Sequence, residues 1–280
     1  MVAQPNDRPG LSWLGPAIDA RPLFAPELEA LLGLLRGLRP GQWSETAVPG
    51  WTVHDVAAHV LGDYCARLGR RELGAFAPGE TLEAFIHRAN QEWVDRHRDT
   101  DPASLVDALD EAGTALARRF ARADPDAPSL GVSWAGVDPA PMWLDCAREF
   151  TEYWTHRQQI RHAAGLGTDI EPRALSMVLD TFMRALPHTL RDTAAPAGTR
   201  VALTVTGPGG GTWTVTAAPE GWSLAQDPGG RPAAGVELDT ETAWRLCTRG
   251  VQPADALARA RVDGDRRLAG AVCRIVSIVY

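Results

Sequence analysis

The sequence predicts an α plus α+β protein, with an N-terminal helical bundle over residues 20–168 and a smaller C-terminal α+β domain over residues 169–280. Three observations predict this. Five stretches before residue 170 carry apolar residues at helical spacing. From Arg200 onward the period changes to strand-like alternation. A chain of 280 residues, 45% hydrophobic and 22% charged, is long and apolar enough to bury a core in each part.

The first helix is expected from about Pro26 to Leu38, with Leu28, Leu31, Leu35 and Leu38 on one side and a stop at Pro40-Gly41. The second has the clearest start in the chain. Thr52 is an N-cap with Asp55 three residues on, as in a capping box, and Trp51 and Val56 stand at the two positions of a hydrophobic staple. It is expected to run to about Leu73. A third helix spans roughly Thr81 to His97, and a fourth runs from Pro102 to about Arg122. The stretch from Ala123 to Ala140 is Pro-rich and reads as a long functional loop or lid, with Trp134 as a candidate lid residue. The fifth helix begins at Pro141, a favoured first helical residue, and stops at Gly165.

An amphipathic stretch from Pro172 to Arg191 reads as a bridging helix, which moves the boundary to about 195 if it belongs to the bundle. VALTVTG and TWTVTAA then alternate across a GPGGG turn, as a β-hairpin does; no helix follows the glycines, so they are not a phosphate cradle. WSLAQ and GVELD read as two more strands, followed by helices over Thr240 to Arg249 and Asp265 to Val279.

Composition excludes several functions. All 28 basic residues are arginine, so no lysine nucleophile, pyridoxal Schiff base or Walker-type loop is available. The formal charge of −7, with both signs interspersed, argues against nucleic-acid or membrane partners. The opening MVAQPNDRPG has no apolar segment behind it, and no apolar run is long enough to span a bilayer; the reading is a cytoplasmic protein. Cys65, Cys146, Cys247 and Cys273 lie far apart and read as buried reduced thiols.

One constellation can carry chemistry. Glu152 and His156 stand at i and i+4 in REFTEYWTHRQQIRH, so both project from one helix face among apolar and aromatic neighbours. A hydrogen-bonded Glu–His pair accounts for this as well as a ligand pair does. His59, in the apolar helix DVAAHVLGDY, reads alone as a satisfied core histidine. Together, two imidazoles and one carboxylate make a set found in catalytic zinc sites, which keep a fourth position for water or substrate. H-E-x-x-H and G-x-S-x-G are absent, so zinc proteolysis and serine hydrolysis find no support.

PGWTVHDVAAHV, followed about ninety residues later by E-Y-W-T-H-R-Q-Q-I-R, resembles the mycothiol-dependent maleylpyruvate isomerase family, and RVDGDRRLAGAVCRIVSI resembles its C-terminal domain. The resemblance implies a DinB-like four-helix N-terminal bundle and a sterol-carrier-like α+β domain. It implies that His59, Glu152 and His156 bind a divalent metal, usually zinc, with mycothiol as thiol cosubstrate. Many relatives carry an acid where this chain has Gln159, which removes a negative charge beside the metal. The implied function is activation of a low-molecular-weight thiol for isomerisation or S-transfer on a small electrophile, in a monomer or small homo-oligomer. A non-catalytic metal- or small-molecule-binding protein on the same scaffold is the alternative. Arg88 and Asn90 on the third helix are candidates for holding an anionic group; an exposed helix face is the competing explanation.

Overall fold

The computed structural model describes residues 10–225 and 230–277. These divide into two compact units. One is built from Ala20–Asp124 and Glu152–Asp169; the other takes the described residues up to Asp19, Pro125–Thr151, and those from Ile170 onward.

The first unit is helical. Helix α1 (Phe24–Arg36) leads through a short hairpin, β1 (Thr46–Val48) and β2 (Trp51–Thr52), into α2 (Val53–Arg67), followed by α3 (Leu82–Arg96) and α4 (Pro102–Ala121). The capping box at the start of α2 forms as expected: Thr52 Oγ1 accepts from the Asp55 amide at 3.2 Å, and Asp55 Oδ2 accepts from the Thr52 amide at 2.9 Å. Helix α4 packs along α1 and α2, and α3 packs against α2. Their shared core is aromatic: Phe24 lies 4.7 Å from Phe120, and Tyr64 meets Tyr153 edge-on at 4.7 Å.

Between α4 and the next long helix, the expected long loop is organised by its own backbone. Strands β3 (Pro128–Ser129) and β4 (Ala140–Pro141) pair antiparallel, and Val132 bridges Val137. Trp134 is only 9% exposed within it. Two-residue strands leave no period in a sequence, so this order was not legible. Helix α5 (Met142–Ala163) follows; its first residues belong to the second unit and those from Glu152 to the helical one.

The expected bridging helix is two helices, α6 (Pro172–Met183) and α7 (Leu186–Leu190). Pro187 explains the break, since its ring clashes with the carbonyl four residues back, at Met183, and offers no amide. The sheet is built from β5 (Arg200–Thr206), β6 (Gly211–Ala218), β7 (Gly221–Ala225), β8 (Ala234–Asp239) and β9 (Arg261–Gly264), in the order β7-β6-β5-β8-β9. The GPGGG hairpin forms, with Leu203 opposite Trp213, while β5 and β8 run parallel with Leu203 beside Val236. The alternation seen in sequence buries Val201, Leu203, Val205, Val236 and Leu238. Helices α8 (Thr240–Cys247), α9 (Pro253–Arg259) and α10 (Arg266–Val272) complete the unit, α8 and α10 lying against β5 and β8. Helix α9 and strand β9 were not foreseen, and α10 is shorter than the expected helix, whose last residues lie outside those described, as does Gln226 of the expected WSLAQ strand.

Cys146, Cys247 and Cys273 are buried, and Cys65 is half-buried. Burial pushes the Cys247 thiol up to about 12 and the Cys273 thiol up to about 11. No helix among the described residues is long and apolar enough to cross a membrane.

Candidate metal centre

Helices α2 and α5 bring His59, Glu152 and His156 together, all within the helical unit. One ligand atom from each lies within 4.8 Å of the other two. Both histidines are buried and Glu152 is half-buried, so the carboxylate stands on the open side. His156 Nε2 is 3.0 Å from Glu152 Oε1, and His59 Nε2 is 3.7 Å from the same oxygen. The two imidazoles meet edge to face at 4.8 Å, and Trp51, the last residue before the α2 cap, covers His59 at 5.0 Å between ring centres. The i, i+4 spacing on α5 therefore aims Glu152 and His156 at one point, and the cap at Thr52 fixes the start of the helix that supplies His59.

The protonation of the set is constrained. His156 Nδ1 donates to Gln159 Oε1 at 2.7 Å. Its Nε2 thus faces the carboxylate either as an imidazolium N–H or with its lone pair towards a cation. Without a cation the proton is the solution. Burial pushes the His156 imidazole down, but the hydrogen bond and charge of Glu152, helped by Gln159, prevail and raise it. Burial likewise pushes the Glu152 carboxyl up, while the hydrogen bond from His156 and the nearness of both imidazoles hold it far below the usual carboxylate range. A divalent cation can take the proton's place between these groups. His59 Nδ1 is buried without a hydrogen-bond partner.

Residues that sequence reasoning missed stand beside this set. Asp63, one turn beyond His59 on α2, places Oδ2 3.4 Å from His59 Nε2. Its signal was available as a second i, i+4 pair, His59 and Asp63. Arg71 is buried, with Nη1 4.0 Å from Asp63 Oδ1.

The two anion-holding candidates are placed differently. Arg88 bonds Glu80 through Nε and Nη2, both at 2.9 Å, Glu92 through Nη1 at 3.1 Å and the Ala75 carbonyl at 3.0 Å. These bonds tie it to the segment before α3 and to Glu92 within the helix. Asn90 is half-buried, and its Oδ1 accepts from Arg71 Nη2 at 3.1 Å. Neither belongs to the three-residue cluster.

Residues 24–161 match the family model described as the mycothiol maleylpyruvate isomerase N-terminal domain, a span that contains all three clustered residues. A crystal structure of the mycothiol-dependent maleylpyruvate isomerase is similar to this chain at 14% identity and a TM-score of 0.50, covering 81% of this chain and 86% of that one. A point mutant of that enzyme aligns over the same shares at 13% identity and a TM-score of 0.47. No curated protein sequence matches the chain. Residues 24–161, just under half of the chain, therefore match the mycothiol maleylpyruvate isomerase family through its N-terminal domain.

Proposed function

We propose that the chain is a metal-dependent enzyme that activates a low-molecular-weight thiol, mycothiol, for isomerisation or S-transfer on a small electrophilic substrate. The observation that carries this reading is a half-open cluster of two imidazoles and one carboxylate with ligand atoms within 4.8 Å of one another, both Nε2 atoms facing Glu152 Oε1. That donor set suits zinc, and it leaves a coordination position for an exogenous group. The helical unit is proposed to be a DinB-like four-helix bundle and the sheet unit a sterol-carrier-like domain. A solved structure similar to this chain carries the name of a mycothiol-dependent isomerase, which supports this reading.

His59, Glu152 and His156 would hold the metal, and a divalent ion there would supply Lewis-acid chemistry that favours the thiolate form of a thiol near neutral pH. Gln159 accepts the Nδ1 proton of His156, which would leave the Nε2 lone pair free for a metal. Trp51 and the apolar faces of α2 and α5 keep water from the buried side of the imidazoles. Glu152, on the open side, is the ligand nearest to whatever enters.

Metal analysis after purification without chelator tests the site: about one zinc per chain is expected, and less than about 0.2 with no uptake of added zinc removes the metal reading. Consumption of thiol against a panel of activated alkenes and alkylating electrophiles tests the chemistry. A folded His59→Ala variant with unchanged turnover removes the catalytic reading and leaves a binding protein.

A further inference from the structure

A carboxylate outside the three-residue set is held against it. Asp63 follows His59 by one turn on α2, and its Oδ2 lies 3.4 Å from His59 Nε2, the same nitrogen that faces Glu152 Oε1 at 3.7 Å. For donors about 2.0–2.1 Å from a tetrahedral ion, neighbouring donor atoms stand about 3.3–3.4 Å apart. Asp63 therefore flanks the ligand nitrogen at the spacing of a coordination edge.

The other oxygen of Asp63 is turned towards Arg71, whose Nη1 is 4.0 Å from Oδ1. Arg71 does not wander. Its Nη2 donates to the Ala89 carbonyl at 2.6 Å and to Asn90 Oδ1 at 3.1 Å, and its guanidinium lies over the Trp93 ring at 5.0 Å. Trp93 is itself tied by Nε1 to the Ala58 carbonyl, next to His59, at 2.8 Å. The arrangement needs glycine at position 62, where a Cβ would stand 2.8 Å from Arg71 Nη1 and 2.7 Å from Trp93 Cδ1. This buried cation stands on the Oδ1 side of Asp63, while Oδ2 stands on the side of the histidine.

Charge points to the purpose. The three ligands carry one negative charge, from Glu152, against two positive charges on a divalent ion. Gln159, behind His156, adds none.

We infer that Asp63, oriented by Arg71, is a positioning residue for the metal centre, supplying beside His59 the negative charge that Gln159 does not supply behind His156. This rests on the metal reading proposed above, and it concerns how tightly the centre holds its ion.

The test is zinc affinity, read by competition with a chromophoric chelator, in the native chain and in Asp63→Asn and Asp63→Glu. Asp63→Asn keeps the size and removes the charge; zinc binding is expected to weaken by about ten- to a hundredfold, with part of the loss recovered in Asp63→Glu. The metal-free Asp63→Asn protein is expected to melt with the metal-free native chain. Native chain that binds zinc, with Asp63→Asn within about twofold of it, overturns this inference and leaves the metal reading standing. Loss of metal-free stability equal to the loss in the zinc-loaded form also overturns it, because the carboxylate is then structural. Native chain that binds no zinc overturns both readings.

Discussion

The Nδ1–H of His156 donates to Oε1 of Gln159 at 2.7 Å, one turn along the same helix. An acid at this position would leave a charge beside the centre, whereas the amide fixes ring and tautomer without one. Gln159→Leu leaves a buried N–H without an acceptor, which costs about 1–3 kcal/mol. Zinc affinity in that variant is expected to fall by about tenfold or more, and Gln159→Asp is expected to bind more tightly than the native chain; chelator competition reads both.

Metal binding should also be visible as stability. Free zinc at about a thousand times its dissociation constant adds about 4 kcal/mol to the folded state. A matching rise in melting temperature is expected for the native chain and none for Glu152→Gln or His59→Ala. Equal shifts in all three would place the zinc elsewhere.

Gly264, the last residue of β9, adopts φ 78°, and a Cβ there would lie 2.1 Å from the Ala233 carbonyl oxygen. The left-handed conformation alone costs a side chain roughly 1–2 kcal/mol, and the clash forces β8 and β9 apart. Gly264→Ala is expected to lose at least about 2 kcal/mol by urea denaturation, whereas alanine at Gly165, with nothing within 4 Å, bears only the conformational cost.

Hydrogen bonds from Arg88 and from the Ala77 amide hold the Glu80 carboxyl down at about 2. A depressed carboxyl contributes stability above its ordinary value near 4.5 and loses it as the pH falls towards about 2. The pair is at the surface, so the expected effect is local. Protection of the amides in the segment 74–81, relative to their intrinsic exchange rates, should fall between pH 4.5 and 2, and Arg88→Ala should abolish that dependence without changing zinc affinity.

The helical half and its centre were legible because their signals are local. Thr52 and Asp55 state where α2 starts, and once the phase of α2 and α5 is set, the spacing of Glu152 and His156 follows. Asp63 was equally readable as a helical pair with His59, but a lone acid on a mixed face carries no chemistry until the second helix is in place. Arg71 was not readable at all. Its burial depends on Gly62 and Trp93 leaving room for it, a packing relation between separate elements. In the sheet unit, alternation gave β5, β6 and β8, while β9, whose four residues are mostly exposed, has no such pattern to show. The break between α6 and α7 follows from Pro187, a signal that the apolar periodicity of the stretch overrode.

The thiols of Cys146, Cys247 and Cys273 are buried, burial holds the latter two protonated far above neutral pH, and the chain has no lysine. Under the thiol chemistry proposed above, a reactive substrate diffusing from the centre meets no side-chain amine and few competent thiolates on the protein that handles it. Such a chain resists becoming the target of its own substrate. Alkylation damage then falls first on the half-buried Cys65, whose thiol burial also holds back from ionising, and the protein can tolerate electrophile concentrations that would titrate a lysine-rich surface.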